Sequence, residues 1–235
     1  SVEALRRFAL ERARDFLRFR ATIAPGFLAE MRACAKSLRP GALLTCNNSL
    51  NTPEALFSQV RTYGYDISGL SRAEDFILVE DMRSQPRRLA DGTIVEYGPT
   101  YSLLHAIGHG RPLAAVTIAD EDYRTPPNLV RLAMAEAAAN RASYVLWAAW
   151  PEAERPRMIA AVRPAVDFLR RQADLLNGTR PRRDVALFLP FRSWLDGARC
   201  RAAELAAELG RRNIPFEALS EEEFGADRLA PAKVF

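Results

Sequence analysis

Short apolar runs that end in polar or acidic residues alternate along this chain with stretches whose apolar positions recur every three or four residues. That alternation predicts an α/β fold. From Val2 to about Phe19, the positions Leu5, Phe8, Ala9, Ala13, Phe16 and Leu17 mark an amphipathic helix. Pro25-Gly26 is expected to interrupt it, and a second helix from Phe27 to about Leu38 ends at Arg39-Pro40-Gly41. Ala42 to Cys46 predicts a buried strand, followed by the polar cluster Asn47-Asn48-Ser49 and a helix from about Pro53 to Tyr63. Phe76 to Val79 is the clearest apolar strand, and it stops abruptly at Glu80 and Asp81. The segment from Arg83 to Thr100 is long for a connector and predicts a functional loop. A helix from Tyr101 to about Gly108 follows, then a strand from Pro112 to Ile118 that runs into Asp120, Glu121 and Asp122. Asn128 to Asn140 is rich in strong helix formers, Ser143 to Trp150 predicts a fourth strand, and Arg155 to about Leu176 a closing helix.

Four such units are half of an eight-fold barrel, in which every strand delivers its carboxyl end to one face. An open, doubly wound sheet is the alternative. No glycine-rich phosphate loop follows any strand, which removes the usual nucleotide-binding form of that alternative. Residues 1–176 therefore form the barrel part and 177–183 a linker. Residues 184–235 begin a second α/β domain, with a strand at Asp184 to Leu189, a helix at Asp196 to Arg212, a strand at Asn213 to Leu219 and a capping box at Ser220 to Phe224. The chain starts on a helical pattern and stops on what reads as an opening strand, Ala232 to Phe235, so a piece of a longer protein is expected.

Composition narrows the function classes. With 235 residues, 49% hydrophobic, the chain can bury a substantial core. The net charge is only +4, and the basic residues are almost all arginine, spread evenly rather than gathered into a groove. The clusters Arg87-Arg88 and Arg180-Pro181-Arg182-Arg183 are too short to argue for nucleic acid. Cys34, Cys46 and Cys200 lack metal or disulfide spacing, and no apolar run is long enough to span a membrane, so a cytoplasmic protein without membrane contact is expected. A removed secretion signal would leave no trace.

The candidate chemistry lies at the strand ends. Glu80 leads, with Asp120 or Glu121 on the next strand as its partner, because glycoside cleavage needs two carboxylates flanking one bond. The bland alternative makes such acids helix caps or ion-pair partners for the arginines, expected above all of Asp81 and Asp122. Asn47 and Asn48 suit sugar hydroxyls, since amides both donate and accept, or serve as a turn or cap. Trp150 offers either a stacking platform or packing, as does Trp147. His105 and His109, four apart on a helix, lack the glutamate of a zinc-binding HExxH frame and are expected to be structural, so no metal or other cofactor is predicted. No Gly-x-Ser-x-Gly run supports acyl transfer.

The succession FLRFR, CNNS, DFILVED, HAIGHGRPLAAVTIAD, AMAEAAANRASYVLWAAW, DVALFLPFRSW and NIPFEAL resembles the family-42-like glycoside hydrolases. That resemblance implies the C-terminal half of a catalytic (β/α)8 TIM barrel followed by the start of a flavodoxin-like, β-galactosidase trimerisation domain. It also implies a β-linked carbohydrate substrate, no cofactor, and a trimer for the full-length protein. Matched in order, CNNS ends the fifth strand, DFILVED is the sixth, AAVTIAD the seventh and YVLWAAW the eighth. The family's acid/base glutamate would then lie before Ser1, and its nucleophile would fall at Ala119-Asp120-Glu121, where the family's Met-Glu pattern is missing. Glu80, ending the sixth strand, becomes a substrate-contacting or supporting acid, and the nucleophile only if the chain departs from the family scheme. Three readings remain open: a hydrolase fragment inactive by itself, a barrel that binds carbohydrate without hydrolysing it, and a non-glycosidic α/β protein carrying an oligomerisation module.

Overall fold

The computed structural model describes residues 1–47, 52–81, 92, 96–119, 126–148, 150–179, 182–229 and 232–233. Strands and helices alternate as the apolar pattern predicts, and all the strand pairing is parallel. In chain order the elements are α1 (Val2–Glu11), α2 (Ala13–Leu38), α3 (Pro53–Tyr63), α4 (Ile67–Ala73) and β1 (Ile77–Asp81). Then come α5 (Gly98–Ile107), β2 (Leu113–Ala119), α6 (Pro127–Ala139), β3 (Ala142–Ala148), α7 (Arg155–Arg171) and α8 (Ala173–Gly178). The remainder is β4 (Val185–Leu189), α9 (Phe191–Leu195), α10 (Ala202–Arg211), β5 (Phe216–Ser220) and α11 (Ala226–Leu229). The strands form two sheets, one ordered β1-β2-β3 and one pairing β4 with β5, and no closed barrel forms among the described residues.

Four local expectations are corrected. Pro25-Gly26 does not end a helix: α2 runs through it, and the break falls instead at Arg12, between α1 and α2. The Pro25 ring packs onto Gly69 of α4, where a Cβ would lie 2.9 Å from it, so tertiary packing holds the helix past a residue that lacks an amide proton. Ala42 to Cys46 joins no ladder among the described residues; one backbone bond, from Asp75 N to Leu44 O at 2.8 Å, and several side chains fasten it. The Asp75 carboxylate accepts from Leu44 N at 2.8 Å, Glu74 accepts from Cys46 N at 2.9 Å, and Thr45 Oγ1 donates to Phe76 O at 2.9 Å. The helix expected from Asp196 to Arg212 begins only at Ala202, as α10; the short α9 precedes Asp196, and Gly197 at φ 96° turns the chain between the two. Ser220 to Glu223 forms a turn in which the Ser220 carbonyl accepts from Glu223 N, and Ser220 itself closes β5. Helix α4 was not foreseen.

The main core lies against one face of the first sheet. Register sets Ile77 opposite Leu113 and Leu113 opposite Ala142, and Val79 opposite Ala115. These residues share one face and join the main core with Leu56 and Phe57 of α3, Leu70 of α4, and Leu103, Leu104 and Ile107 of α5. The same cluster takes in Leu189 of β4, Phe191 of α9, Ala203 of α10 and Ala218 of β5, so the two sheets share a core. The other face of the first sheet carries Leu78, Glu80, Ala114, Val116, Ser143 and Val145, none of which belongs to either apolar cluster. On this face Glu80, Ala114 and Val116 are nonetheless buried, whereas Val145, on β3, is 46% exposed.

Candidate functional site

The parallel register brings the carboxyl ends of β1, β2 and β3 to one edge of the first sheet. Glu80 is one residue from the end of β1, level with Val116 of β2, and is only 6% exposed. It lies on the face turned away from the main core, as a barrel strand's inward residue would. Asp120 follows β2 directly, four positions beyond Val116, and a strand advances about 3.3 Å per residue. A continued strand would carry Asp120 about 13 Å past the level of Glu80. Register by itself therefore does not set the carboxylate spacing of a glycosidase, and the two acids work on one sugar bond only if the chain after Ala119 returns over the sheet edge.

Asp120 and Glu121 lie outside the described residues, as do Asn48 and the expected loop core at 82–91 and 93–95. Asp81 ends β1 by its backbone. Asn47 is exposed at the end of the tethered extended segment, and Thr52, not the asparagine cluster, caps α3 by accepting from Ala55 N. Trp150 is 2% exposed and packs among Val130, Met134 and Val162, so its ring presents no open face. The Arg155 guanidinium donates to its backbone carbonyl.

His105 and His109 turn to different partners. His105 Nε2 lies 2.9 Å from the Asn140 carbonyl, and burial pushes its pKa down. His109 enters a polar cluster that sequence reasoning missed, made by Asp66, Ser68 and Arg72 from α4 and its cap, Arg192 of α9, and Glu221 and Glu222 after β5. Arg192 Nη1 lies 2.6 Å from Asp66 Oδ2 and its Nη2 donates to Ser68 Oγ at 3.0 Å. Ser68 Oγ lies 3.0 Å from His109 Nε2, and His109 Nδ1 lies 3.5 Å from Glu222 Oε2, which also pairs with Arg72 at 2.8 Å. Ser68 is 3% exposed and Asp66 6% exposed. The chain of contacts from serine to histidine to carboxylate has the connectivity of a hydrolytic triad, but an arginine occupies the serine oxygen and the serine is closed to substrate, so the cluster is an interface rather than a nucleophile. Its members come from four distant parts of the sequence. Asp66, as an N-cap before α4, is the one that carried a local signal.

A cavity of about 560 Å³ lies elsewhere, between α6, the amino-terminal half of β3 and α7–α8, with Met134, Leu146, Leu169 and Tyr144 in its walls and Arg141 and Arg170 beside them. Tyr144 and Leu146 put it against the face of the sheet opposite to Glu80. Among the described residues no group of three or more His, Cys, Asp or Glu side chains is placed to hold a metal ion, and no helix is long and apolar enough to cross a membrane. The chain matches no known family model, no characterised protein sequence and no solved structure.

Proposed function

We infer that this chain is the C-terminal half of a glycoside-hydrolase-like (β/α)8 barrel followed by the opening of a flavodoxin-like unit, and that it acts on a β-linked carbohydrate through carboxylates at the strand ends. The observation that carries the reading is the first sheet. Its strands run parallel in chain order, pack their core on one face, and leave Glu80 on the other, near the carboxyl edge. A doubly wound sheet reverses its strand order, and β1-β2-β3 run in chain order without a reversal among the described residues.

The second sheet supports the other half of the reading. Val185 N faces β5, so the Asp184 carbonyl across the same trans peptide points the opposite way, and it accepts from Lys233 N at 2.9 Å. The chain therefore returns on the far side of β4, which begins the 2-1-3 order of flavodoxin-like sheets.

In this mechanism Asp120 or Glu121, at the position of the family nucleophile, attacks the anomeric carbon or activates water, and Glu80 hydrogen-bonds the sugar beside it. An acid supplied from outside residues 1–235 protonates the leaving oxygen. The alternative is a barrel that holds the sugar without cleaving it, favoured by the missing Met-Glu pattern at Ala119-Asp120-Glu121.

The deciding experiment assays the full-length protein on aryl β-glycosides alongside Glu80→Gln, Asp120→Asn and Glu121→Gln. Hydrolysis is expected, lost about 10³-fold in one of the β2-end variants and shifted mainly in KM by Glu80→Gln. Carbohydrate binding without turnover selects the alternative, and neither binding nor turnover refutes the proposal.

A further inference from the structure

Among the described residues the cluster around His109 is the most heavily cross-linked polar contact between the two sheets, and the bond from Ser68 Oγ to His109 Nε2 exists only while Nε2 is unprotonated. We propose that protonation of His109 is a built-in release that loosens the β4–β5 unit from the β1–β3 unit.

Ser68 has almost no access to water, so its hydroxyl must find its partners in the protein. Arg192 Nη2 donates to Ser68 Oγ, which leaves the hydroxyl proton to be donated to His109 Nε2 at 3.0 Å. With the hydroxyl as donor, Nε2 is assigned as the unprotonated nitrogen and the ring proton sits on Nδ1, facing Glu222. The neutral ring thus completes a relay from Arg192 through Ser68 and His109 to Glu222. A proton added at Nε2 turns to the Ser68 carbonyl at 3.1 Å and leaves the serine hydroxyl without an acceptor in a buried site.

Charge points the same way. The groups facing the ring are Arg72 and Asp66 from α4 and its cap, Arg192 from α9, and Glu222 with its neighbour Glu221 from the turn after β5. Arg111, just after the ring on its own segment, donates to Ser71 O and Arg72 O. Three guanidinium groups and three carboxylates balance, so an imidazolium is an added cation in a filled interface. Burial first, then the charge of Arg72, hold the His109 pKa below its ordinary 6.5, while Glu222 and the Ser68 carbonyl pull against them. Because a released histidine titrates near 6.5 and the docked one lower, the docked form is favoured fully above about pH 6.5. It weakens as pH falls from there, levelling off below the docked pKa.

The structure also supplies a suitable test substitution. His109 has φ 50°, a left-handed conformation that asparagine tolerates, so His109→Asn removes the titration with little backbone cost. Amide exchange in Phe216–Ser220, corrected for intrinsic rate, is compared with that in Leu113–Ala119 at pH 7.5 and 5.0. In the wild-type chain β5 exchange should rise about tenfold for each unit by which the docked pKa lies under 6.5, with β2 unchanged. His109→Asn should flatten that response. The chain has two histidines, so an NMR titration assigned with His105→Gln reads the His109 midpoint directly, and Glu222→Gln should lower it further. A His109 midpoint at or above 6.5, or an undiminished pH response in His109→Asn, overturns the proposal.

Discussion

Replacing Asp75 with asparagine tests how much a side-chain carboxylate contributes to holding a strand-like segment to this fold. Asp75 sits just before β1, and its carboxylate gathers Leu44 N at 2.8 Å, Arg32 Nη2 at 2.5 Å and Lys36 Nζ at 3.0 Å. The Leu44 amide, then Lys36 and Arg32, hold its pKa at about 2 against an ordinary 3.8, with burial opposing them. A difference of nearly two units corresponds to about 2.5 kcal/mol at neutral pH. The carboxylate is only 13% exposed, yet Arg32 and Lys36 are each about a quarter exposed, and solvent screening of those cations reduces the expected loss to about 1–2 kcal/mol. The folded pKa is depressed, so this stability is complete above the unfolded value near 3.8 and disappears as pH falls toward 2. Urea unfolding of wild type and Asp75→Asn at pH 7, 5, 3.5 and 2.5 measures it. The gap should hold between pH 7 and 5 and close progressively below 4. A gap under about 0.3 kcal/mol at pH 7, or one that does not shrink with acid, refutes the reasoning.

Two further outcomes follow from the packing. Phe191 is buried in the core that both sheets share and lies against Phe57, so Phe191→Ala should cost about 3–5 kcal/mol and lower the stability of both sheets together, visible as coincident loss of protection in β2 and β4 by hydrogen exchange. A Cβ on Gly108 would meet Ile77 Cδ1 and Leu104 O, each at 2.7 Å, so Gly108→Ala should lower the thermal midpoint through about 1–3 kcal/mol of overpacking, and Ile77→Val in the same chain should recover part of it.

The parallel strands were legible because each is a short apolar run bounded by polar residues, and their order followed from the alternation with helices. Pro25 misled because a proline in isolation ends a helix, whereas here Gly69 offers its ring a seat. Ala42 to Cys46 misled in the opposite sense: the apolar pattern matches a strand, but two carboxylates and a single backbone bond stand where a ladder was expected. At the candidate site, Glu80 stood out because an acid closes an apolar run, and its near-complete burial agrees with that prominence without assigning a role. The Ser68–His109–Arg192–Glu222 cluster left no such trace. Arg192 is separated from Ser68 by 124 positions, and no periodicity within one element encodes a contact made when two sheets dock.

The shared core has a consequence for anyone cutting or recombining this chain. A boundary at 177–183 looks natural on the page, since it separates one strand–helix series from the next. Yet Leu189, Phe191, Ala203 and Ala218 fill space beside Leu56, Leu103 and Leu104, so a cut there would open an apolar wound on both products. Chimeras that exchange the segment after 183 should therefore be tolerated only when the incoming segment brings matching apolar volume, and a viable crossover point is defined by the packing rather than by the linker.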